Sequence, residues 1–194
     1  RADVCTRFLE VIKNEVALDQ SEVRMLFDEQ NLYVTLKGLF DPAYDFGKKP
    51  GAASNNFELF VRPDGATDYL QVIISESGKL YVARTGAQLR VHGVTAKTET
   101  GKGFWTADLT IPLKTLGIAA PKDDLKAKVG LFRQNDNVHE RQKLFSKRRS
   151  ATSFTPIERY QFGVPDTWAD MVLTRRDGEA RRVSGPDNGL QVNL

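Results

Sequence analysis

The feature that most constrains this sequence is a repeated pattern of short segments in which apolar and polar residues alternate. In the clearest segment the apolar positions are Trp105, Ala107, Leu109 and Ile111. This period of two is that of a β-strand with one covered face. Pro112 ends the segment because proline has no N–H to donate, and residues 113–116 followed by Gly117 predict a short helical turn.

Similar runs recur along the chain. Residues 23–27 and 32–36 alternate on either side of the polar tetrad 28–31, which predicts a hairpin. Further predicted strands lie at 57–62, 69–75, 80–85, around 89–98, at 128–135 and at 168–174. Eight or more short strands with hardly any helix predict an all-β fold, an antiparallel sandwich of two sheets of the lectin-like or immunoglobulin-like type.

The domain organisation follows from where these runs end. Residues 1–174 are expected to form one β-sandwich domain, and the Arg/Gly/Asp-rich residues 175–194 a polar tail or linker. Two segments without sustained periodicity, 45–56 and 137–160, are predicted loops, and the second is a candidate rim of a site. The chain starts at Arg1, and we interpret it as a piece of something longer.

Composition excludes several function classes. The formal net charge of +3 implies no nucleic-acid partner, and the apolar runs are far shorter than the about 18 residues of a membrane-spanning helix. The single cysteine, Cys5, rules out an internal disulfide framework. His92 and His139 have no metal-ligand spacing, and no nucleophile elbow or phosphate-binding glycine loop occurs. Enzymatic activity is therefore not expected.

Several motifs, in order, carry a family resemblance. They are DEQNLYV at 28–34, DP at 41–42, FELF at 57–60 with PDG at 63–65, and WTADLTIPLKTLG at 105–117. Over about residues 20–174 the chain resembles the family nine carbohydrate-binding modules, which are DOMON-like β-sandwiches. The resemblance implies a non-catalytic domain that docks a larger secreted or cell-surface bacterial protein, such as a glycoside hydrolase, onto a glycan. It also implies a location outside the cytoplasm, at the cell surface, in the periplasm or extracellular. The implied partners are a poly- or oligosaccharide and other domains of the same polypeptide, without nucleic acid or membrane insertion.

The resemblance also assigns roles to individual residues. In this family the ligand lies between two aromatic rings, and a carboxylate and an arginine hold its hydroxyl groups. By position, the carboxylate is Glu58 and one ring is Phe162, and Gln71 and Arg159 complete the predicted carbohydrate-binding set. A structural calcium ion, often present in the family, would be held by Asp41.

Two positions depart from the family pattern. Ala52 stands where the second ring is expected, and Ile73 stands near the position of the arginine. Tyr44, Phe46 or Phe154 could supply a replacement ring from a loop. Half of the family's sugar site is therefore absent from the sequence.

Each site residue also has a purely structural interpretation. Glu58 alternates with Phe57 and Leu59, so it could be an exposed carboxylate on the opposite strand face. Phe162 could anchor a loop in the core. Trp105 and Trp168 lie among aliphatic residues and are expected in the core.

Three alternative functions remain open. A haem-binding DOMON-like cytochrome domain would need iron ligands such as Met25 or Met171, although both lie in apolar alternating runs that are typical of core. A structural β-sandwich that has lost sugar binding is a second alternative. The basic segment 141–149, RQKLFSKRR, would favour an anionic polysaccharide such as a uronate if it lies beside the sugar site.

Overall fold

The computed structural model describes residues 6–10, 16–17, 19–40, 55–119, 124–134, 151–155 and 162–173. Within them the chain forms twelve strands: β1 Leu9–Glu10, β2 Ser21–Phe27, β3 Asn31–Leu39, β4 Asn56–Pro63, β5 Leu70–Ser75, β6 Leu80–Arg84, β7 Ala87–Gln88, β8 Thr95–Gly101, β9 Phe104–Pro112, β10 Leu125–Gln134, β11 Ala151–Ser153 and β12 Ala169–Leu173. The described residues also include two short 3-10 helices, at Leu113–Leu116 and Pro165–Thr167.

These strands build two antiparallel sheets. The four-stranded sheet has the order β2-β3-β9-β8, and the eight-stranded sheet runs β1-β11-β10-β4-β5-β6-β7. The eighth strand, β12, pairs with β10 over residues 125–129, on the same edge where β11 pairs over 132–134. The other edge of β10 pairs with β4 along residues 127–134. The predicted two-sheet antiparallel sandwich is confirmed.

The inner faces of the two sheets share one apolar core. The predicted β2–β3 hairpin supplies Val23, Met25, Phe27, Leu32, Val34 and Leu36, all buried. Asp28 shapes its turn, because its carboxylate accepts hydrogen bonds from the backbone N–H groups of Gln30 and Asn31, both at 2.7 Å. Contact between the sheets is direct, since the rings of Phe57 on β4 and Trp105 on β9 lie 4.9 Å apart. Trp105 is therefore in the core, as predicted.

The turn after β9 also matches its sequence pattern. Residues Leu113–Leu116 form the 3-10 helix, with the side chains of Leu113 and Leu116 buried. Gly117 ends the helix in the left-handed region, at φ +77°, and its N–H bonds to the carbonyl of Lys114 at 3.1 Å. Glycine adopts this conformation without a steric cost, which explains why it follows the helix.

The strand predicted around residues 89–98 is wrong in its position. The structure has the short β7 before it and β8 at Thr95–Gly101 instead, with residues 89–94 in neither strand. Gly93 has φ +66°, and the Nδ1 atom of His92 accepts a 2.9 Å hydrogen bond from the N–H of Val94. This local turn interrupts the backbone although the side chains alternate.

The central strands of the larger sheet are buried on both faces. Outward from the sandwich core, Phe60, Phe132 and Trp168 form a second apolar group, against which Tyr69 and Phe162 pack. We call these five residues the outer aromatic cluster. The rings of Phe60 and Trp168 stack at 5.0 Å, and Tyr69 meets Trp168 edge-on at 5.3 Å. Trp168 is buried, as predicted. It lies in this outer cluster, however, and not in the apolar core that the two sheets enclose.

Trp168 can pack against the outer face of β10 because the residue of β10 that it covers is Gly130. A Cβ atom at Gly130 would lie 2.7 Å from the Nε1 atom of Trp168, closer than real contacts allow. The indole N–H donates a 2.8 Å hydrogen bond to the carbonyl of Phe162. The segment from Phe162 to Trp168 is thereby fastened across the outer face of the sheet.

The sequence did not reveal that Arg133 lies inside the sandwich. Its side chain is fully buried on the inner face of β10, with the guanidinium carbon 5.8 Å from the centre of the Phe57 ring. The Nη1 group donates to the carbonyl of Gln20 at 3.1 Å. Burial lowers the pKa of Arg133 to about 10, with Asp19 opposing the shift, so this arginine is still charged at neutral pH.

The described part of the chain contains no helix with the length and hydropathy that a membrane crossing requires.

We expect Gly130→Ala to destabilise the protein by about 1–3 kcal/mol, because the new methyl group displaces the Trp168 ring. Urea denaturation measures the loss, and tryptophan fluorescence reports the changed surroundings of Trp168. Gly163→Ala is the matched control, since its Cβ would meet nothing closer than the Tyr69 hydroxyl at 3.7 Å. Equal stability of the two variants would contradict the packing described for Trp168.

Candidate functional site

Glu58 lies on the outer face of β4, in the middle of the larger sheet. Its neighbours in sequence, Phe57 and Leu59, point into the core, so the predicted strand face is confirmed. The side chain is not an exposed surface carboxylate, because the residue is 9% exposed. Its Oε1 atom accepts a 2.5 Å hydrogen bond from the Nε2 atom of Gln71 on β5. The structure therefore brings two of the predicted site residues into direct contact.

The electrostatic environment of Glu58 disfavours its charge. Burial raises the pKa of the Glu58 carboxyl above its usual value of 4.5, and the hydrogen bond from Gln71 only partly opposes the shift. Among the described residues no cation contributes to this shift of the Glu58 pKa. Ile73 is the residue directly opposite Glu58 on β5, so an aliphatic side chain occupies the position where the family resemblance leads one to expect an arginine.

A row of side chains crosses the outer face of the sheet at the level of Glu58. The backbone pairing places Phe132 on β10 beside Glu58 on one side, and Ile73 and then Tyr81 on β6 on the other. Ile73 and Tyr81 are half-buried. The row therefore reads aromatic, carboxylate, aliphatic, aromatic. Flat apolar groups around a polar group are the surface chemistry that suits a pyranose, whose C–H faces are apolar and whose rim is polar.

Phe162 belongs to the same region. Its ring centre lies 4.5 Å from that of Phe132, which is the direct neighbour of Glu58. Phe162 is half-buried, so it both packs against the other members of the outer aromatic cluster and keeps part of its surface accessible. The structural and functional interpretations of Phe162 are thus compatible.

Tyr81 is the residue that sequence reasoning missed. Its alternating run, LYVAR, predicts a strand but does not say which residue of β4 lies at the same level. That relation depends on the register of β4, β5 and β6, which the backbone pairing fixes and periodicity alone does not.

Other predicted residues fall outside the described part of the chain. These are Arg159, Asp41, Ala52, Tyr44, Phe46 and the basic segment 141–149. Within the described residues no group of three or more His, Cys, Asp or Glu side chains could hold a metal ion. Calcium binding by Asp41 stays a prediction.

Phe154 is not a replacement ring for the site. It is buried in the core, where its ring centre lies 5.9 Å from that of Phe8. Met25 and Met171 are also buried in the core, as predicted from their alternating runs.

Structural comparison places the chain among known β-sandwiches. No family model matches the sequence. No curated protein matches it either. Among solved structures, a family nine carbohydrate-binding module from Caldicellulosiruptor kristjanssonii in complex with cellotriose superposes with a TM-score of 0.60 at 12% identity, over 97% of this chain and 87% of that one. A family nine module from the same organism in complex with glucose gives a TM-score of 0.59 at 12% identity, over 93% and 85%. A Bacteroides uniformis ATCC 8492 protein to which carbohydrate binding has been attributed gives 0.61 at 16% identity, over 86% and 85%.

The chain has the fold of the family nine carbohydrate-binding modules. This confirms at the level of the fold the resemblance indicated by the ordered motifs of the sequence. At identities of 12–16% the comparison does not extend to individual binding residues.

We expect Glu58→Gln to raise the melting temperature at neutral pH. A raised pKa means that the native state binds the Glu58 proton more tightly than the unfolded state does. Wild-type stability should therefore fall as pH rises from about 4.5 through the raised pKa, and the amide removes this loss. Melting curves of both proteins from acidic to neutral pH measure the difference, which should grow over that window and then level off.

Glu22→Gln is the matched control, because Glu22 lies on the other sheet and its carboxylate pairs with Lys37 at 3.6 Å. It should give no such gain. A Glu58→Gln protein that is less stable than wild type at neutral pH would show that the carboxylate is favourably placed for folding.

Proposed function

We propose that this chain is a non-catalytic carbohydrate-binding domain that holds a saccharide on the outer face of its larger sheet, around Glu58. The observation that carries the proposal is a carboxylate whose charge is disfavoured by burial, with the half-buried rings of Tyr81 in the same row and Phe162 packed on its neighbour Phe132. A charge that opposes folding is commonly retained for function. The fold, shared with modules in complex with cellotriose and glucose, supports a neutral sugar as ligand.

The proposed binding mode assigns each group a physical task. The ionised Glu58 carboxylate accepts hydrogen bonds from sugar hydroxyls, and such charge-assisted bonds are the strong ones. Gln71 orients the carboxylate through its 2.5 Å hydrogen bond. Phe162 and Tyr81 supply apolar surface for the C–H faces of the sugar. Arg159 is proposed as a further contact from the segment just before Phe162.

The biological setting is part of the same proposal. A sugar-binding sandwich of this family would dock a larger secreted or cell-surface bacterial protein, such as a polysaccharide-degrading enzyme, onto its glycan. Other domains of the same polypeptide would then be its covalent partners. A sandwich that has lost sugar binding is the second candidate, and the Ile73 position favours it because Glu58 lacks a cationic neighbour there.

Binding measurements on single variants test the site. We expect Glu58→Gln to weaken binding of cellotriose or glucose about tenfold to hundredfold, through loss of a charge-assisted hydrogen bond worth about 1.5–3 kcal/mol. Phe162→Ala should also weaken binding, and melting curves separate this effect from the about 3–5 kcal/mol cost of removing a core phenylalanine. Isothermal titration calorimetry on each protein provides the affinities.

Glu58→Gln is informative because stability and affinity should move in opposite directions. Weaker binding by a more stable protein cannot be attributed to misfolding. Ile73→Arg provides the converse variant, since a cation opposite Glu58 should favour its ionised form and tighten binding. Wild-type affinity in a folded Glu58→Gln protein would place the sugar elsewhere, and no binding of any glycan on an array would support the structural alternative.

We also propose a structural calcium ion with Asp41 among its ligands. An ion that binds the native state alone raises the melting temperature by mass action. We therefore expect a higher melting temperature with millimolar calcium than with chelator, and a smaller difference for Asp41→Asn. Identical melting curves with calcium and with chelator would remove Asp41 from the site.

A further inference from the structure

A recess lies at the opposite end of the same sheet face. It has a volume of about 480 Å³ and is lined by residues 62–66, 126–128 and 170–172. The start of β10 forms its floor, with the end of β4 and its turn on one side and β12 on the other. We call it the Arg62 recess. A cavity of this volume is in the range of small-molecule sites.

The Arg62 recess is separate from the Glu58 site. Arg62 is four residues beyond Glu58 on β4, which places the two Cα atoms about 13 Å apart along an extended strand. Phe60 lies between them on the same face and stacks on Trp168. The outer aromatic cluster therefore forms a wall between the two ends of the face.

Among the basic side chains of the recess, one forms an ion pair with a described residue and two do not. Lys128, the residue opposite Arg62, bonds Asp170 at 3.0 Å across to β12. Within the described chain no ion pair or side-chain hydrogen bond involves Arg62 or Lys126. Arg62 is nonetheless half-buried. A half-buried arginine to which the described residues offer no side-chain partner, next to a second cation, is a favourable position for an oxyanion, which the planar fork can bind through two parallel hydrogen bonds.

The rest of the lining consists of the exposed Asp64 and of small or apolar residues. Pro63, Ala66 and Val172 provide aliphatic surface beside the cations. The turn that forms one wall is fixed by two backbone hydrogen bonds, from Asp64 N–H to the Lys126 carbonyl at 3.1 Å and from Ala66 N–H to the Pro63 carbonyl at 3.0 Å. The recess thus combines an anion-binding group with surface that suits the C–H groups of a sugar.

From this geometry we infer that the Arg62 recess binds the oxyanion of an acidic saccharide, a uronate carboxylate or a sulfate ester. The saccharide part of this inference rests on the proposed function, whereas the anion site does not. Because the Glu58 site and the Arg62 recess lie on one face, the domain distinguishes neutral from acidic sugar units by the end of the sheet that each occupies.

Trigalacturonate and a sulfated trisaccharide are the probes for the recess, and cellotriose is the neutral probe. We expect Arg62→Gln to weaken binding of at least one acidic probe about tenfold or more, with Arg62→Lys intermediate because it lacks the planar fork. Asp170→Asn should tighten binding, since it removes a carboxylate that holds Lys128. Raised salt should weaken binding of the acidic probe and leave cellotriose unaffected.

Arg24→Gln is the matched control. It removes the same charge from an exposed strand position on the other sheet, so a loss equal to that of Arg62→Gln would reveal a net-charge effect and overturn the inference. Binding of both acidic probes that is unchanged by Arg62→Gln, or no binding of either, would overturn it too.

The two proposals fail separately. Cellotriose binding that depends on Glu58, with no Arg62-dependent binding of acidic probes, would leave the proposed function standing and remove the recess. Acidic-probe binding that depends on Arg62 and survives Glu58→Gln would support the recess even if cellotriose does not bind.

Discussion

The architecture depends on the burial of β4 and β10 on both faces. Their inner faces pack against the four-stranded sheet, through contacts such as Phe57 with Trp105. On their outer faces the indole of Trp168 stacks on Phe60 and the ring of Phe162 packs on Phe132, and the indole fits only because Gly130 has no side chain. This covering segment divides the outer face into two ends, one with the buried Glu58 and the other with the half-buried Arg62.

Much of the fold could be predicted because a strand with one buried face has alternating apolar and polar residues. The β2–β3 hairpin, β9 and the helical turn after it obey this rule closely. Where both faces are buried the alternation disappears, as in FELFV on β4. At residues 89–94 the alternating pattern led to a wrong strand prediction. The pattern of side chains does not encode the turn made by His92 and Gly93, which interrupts the backbone there.

Residues of the candidate site could be proposed from the sequence where they lie in one strand pattern, but not where their place depends on the register between strands. The resemblance gave Glu58, Gln71 and Phe162, and the pairing of β4 with β5 and β10 brings them to one region. Tyr81 and Arg62 become candidate binding residues only through their neighbours on adjacent strands, which the sequence does not reveal. The sequence allowed Glu58 to be interpreted as a surface carboxylate. A strand pattern indicates on which face of the sheet a residue lies, but it does not indicate whether other residues cover that face.

The two buried charges of this region lie on adjacent strands without neutralising each other. Arg133 is one residue beyond Phe132, the direct neighbour of Glu58, but successive side chains of a strand point to opposite faces. Arg133 therefore satisfies part of its hydrogen bonding inside the sandwich, at Gln20, while Glu58 faces outward and accepts a hydrogen bond from Gln71. Because the sheet separates the two groups, an arginine in the core cannot replace the one absent at Ile73.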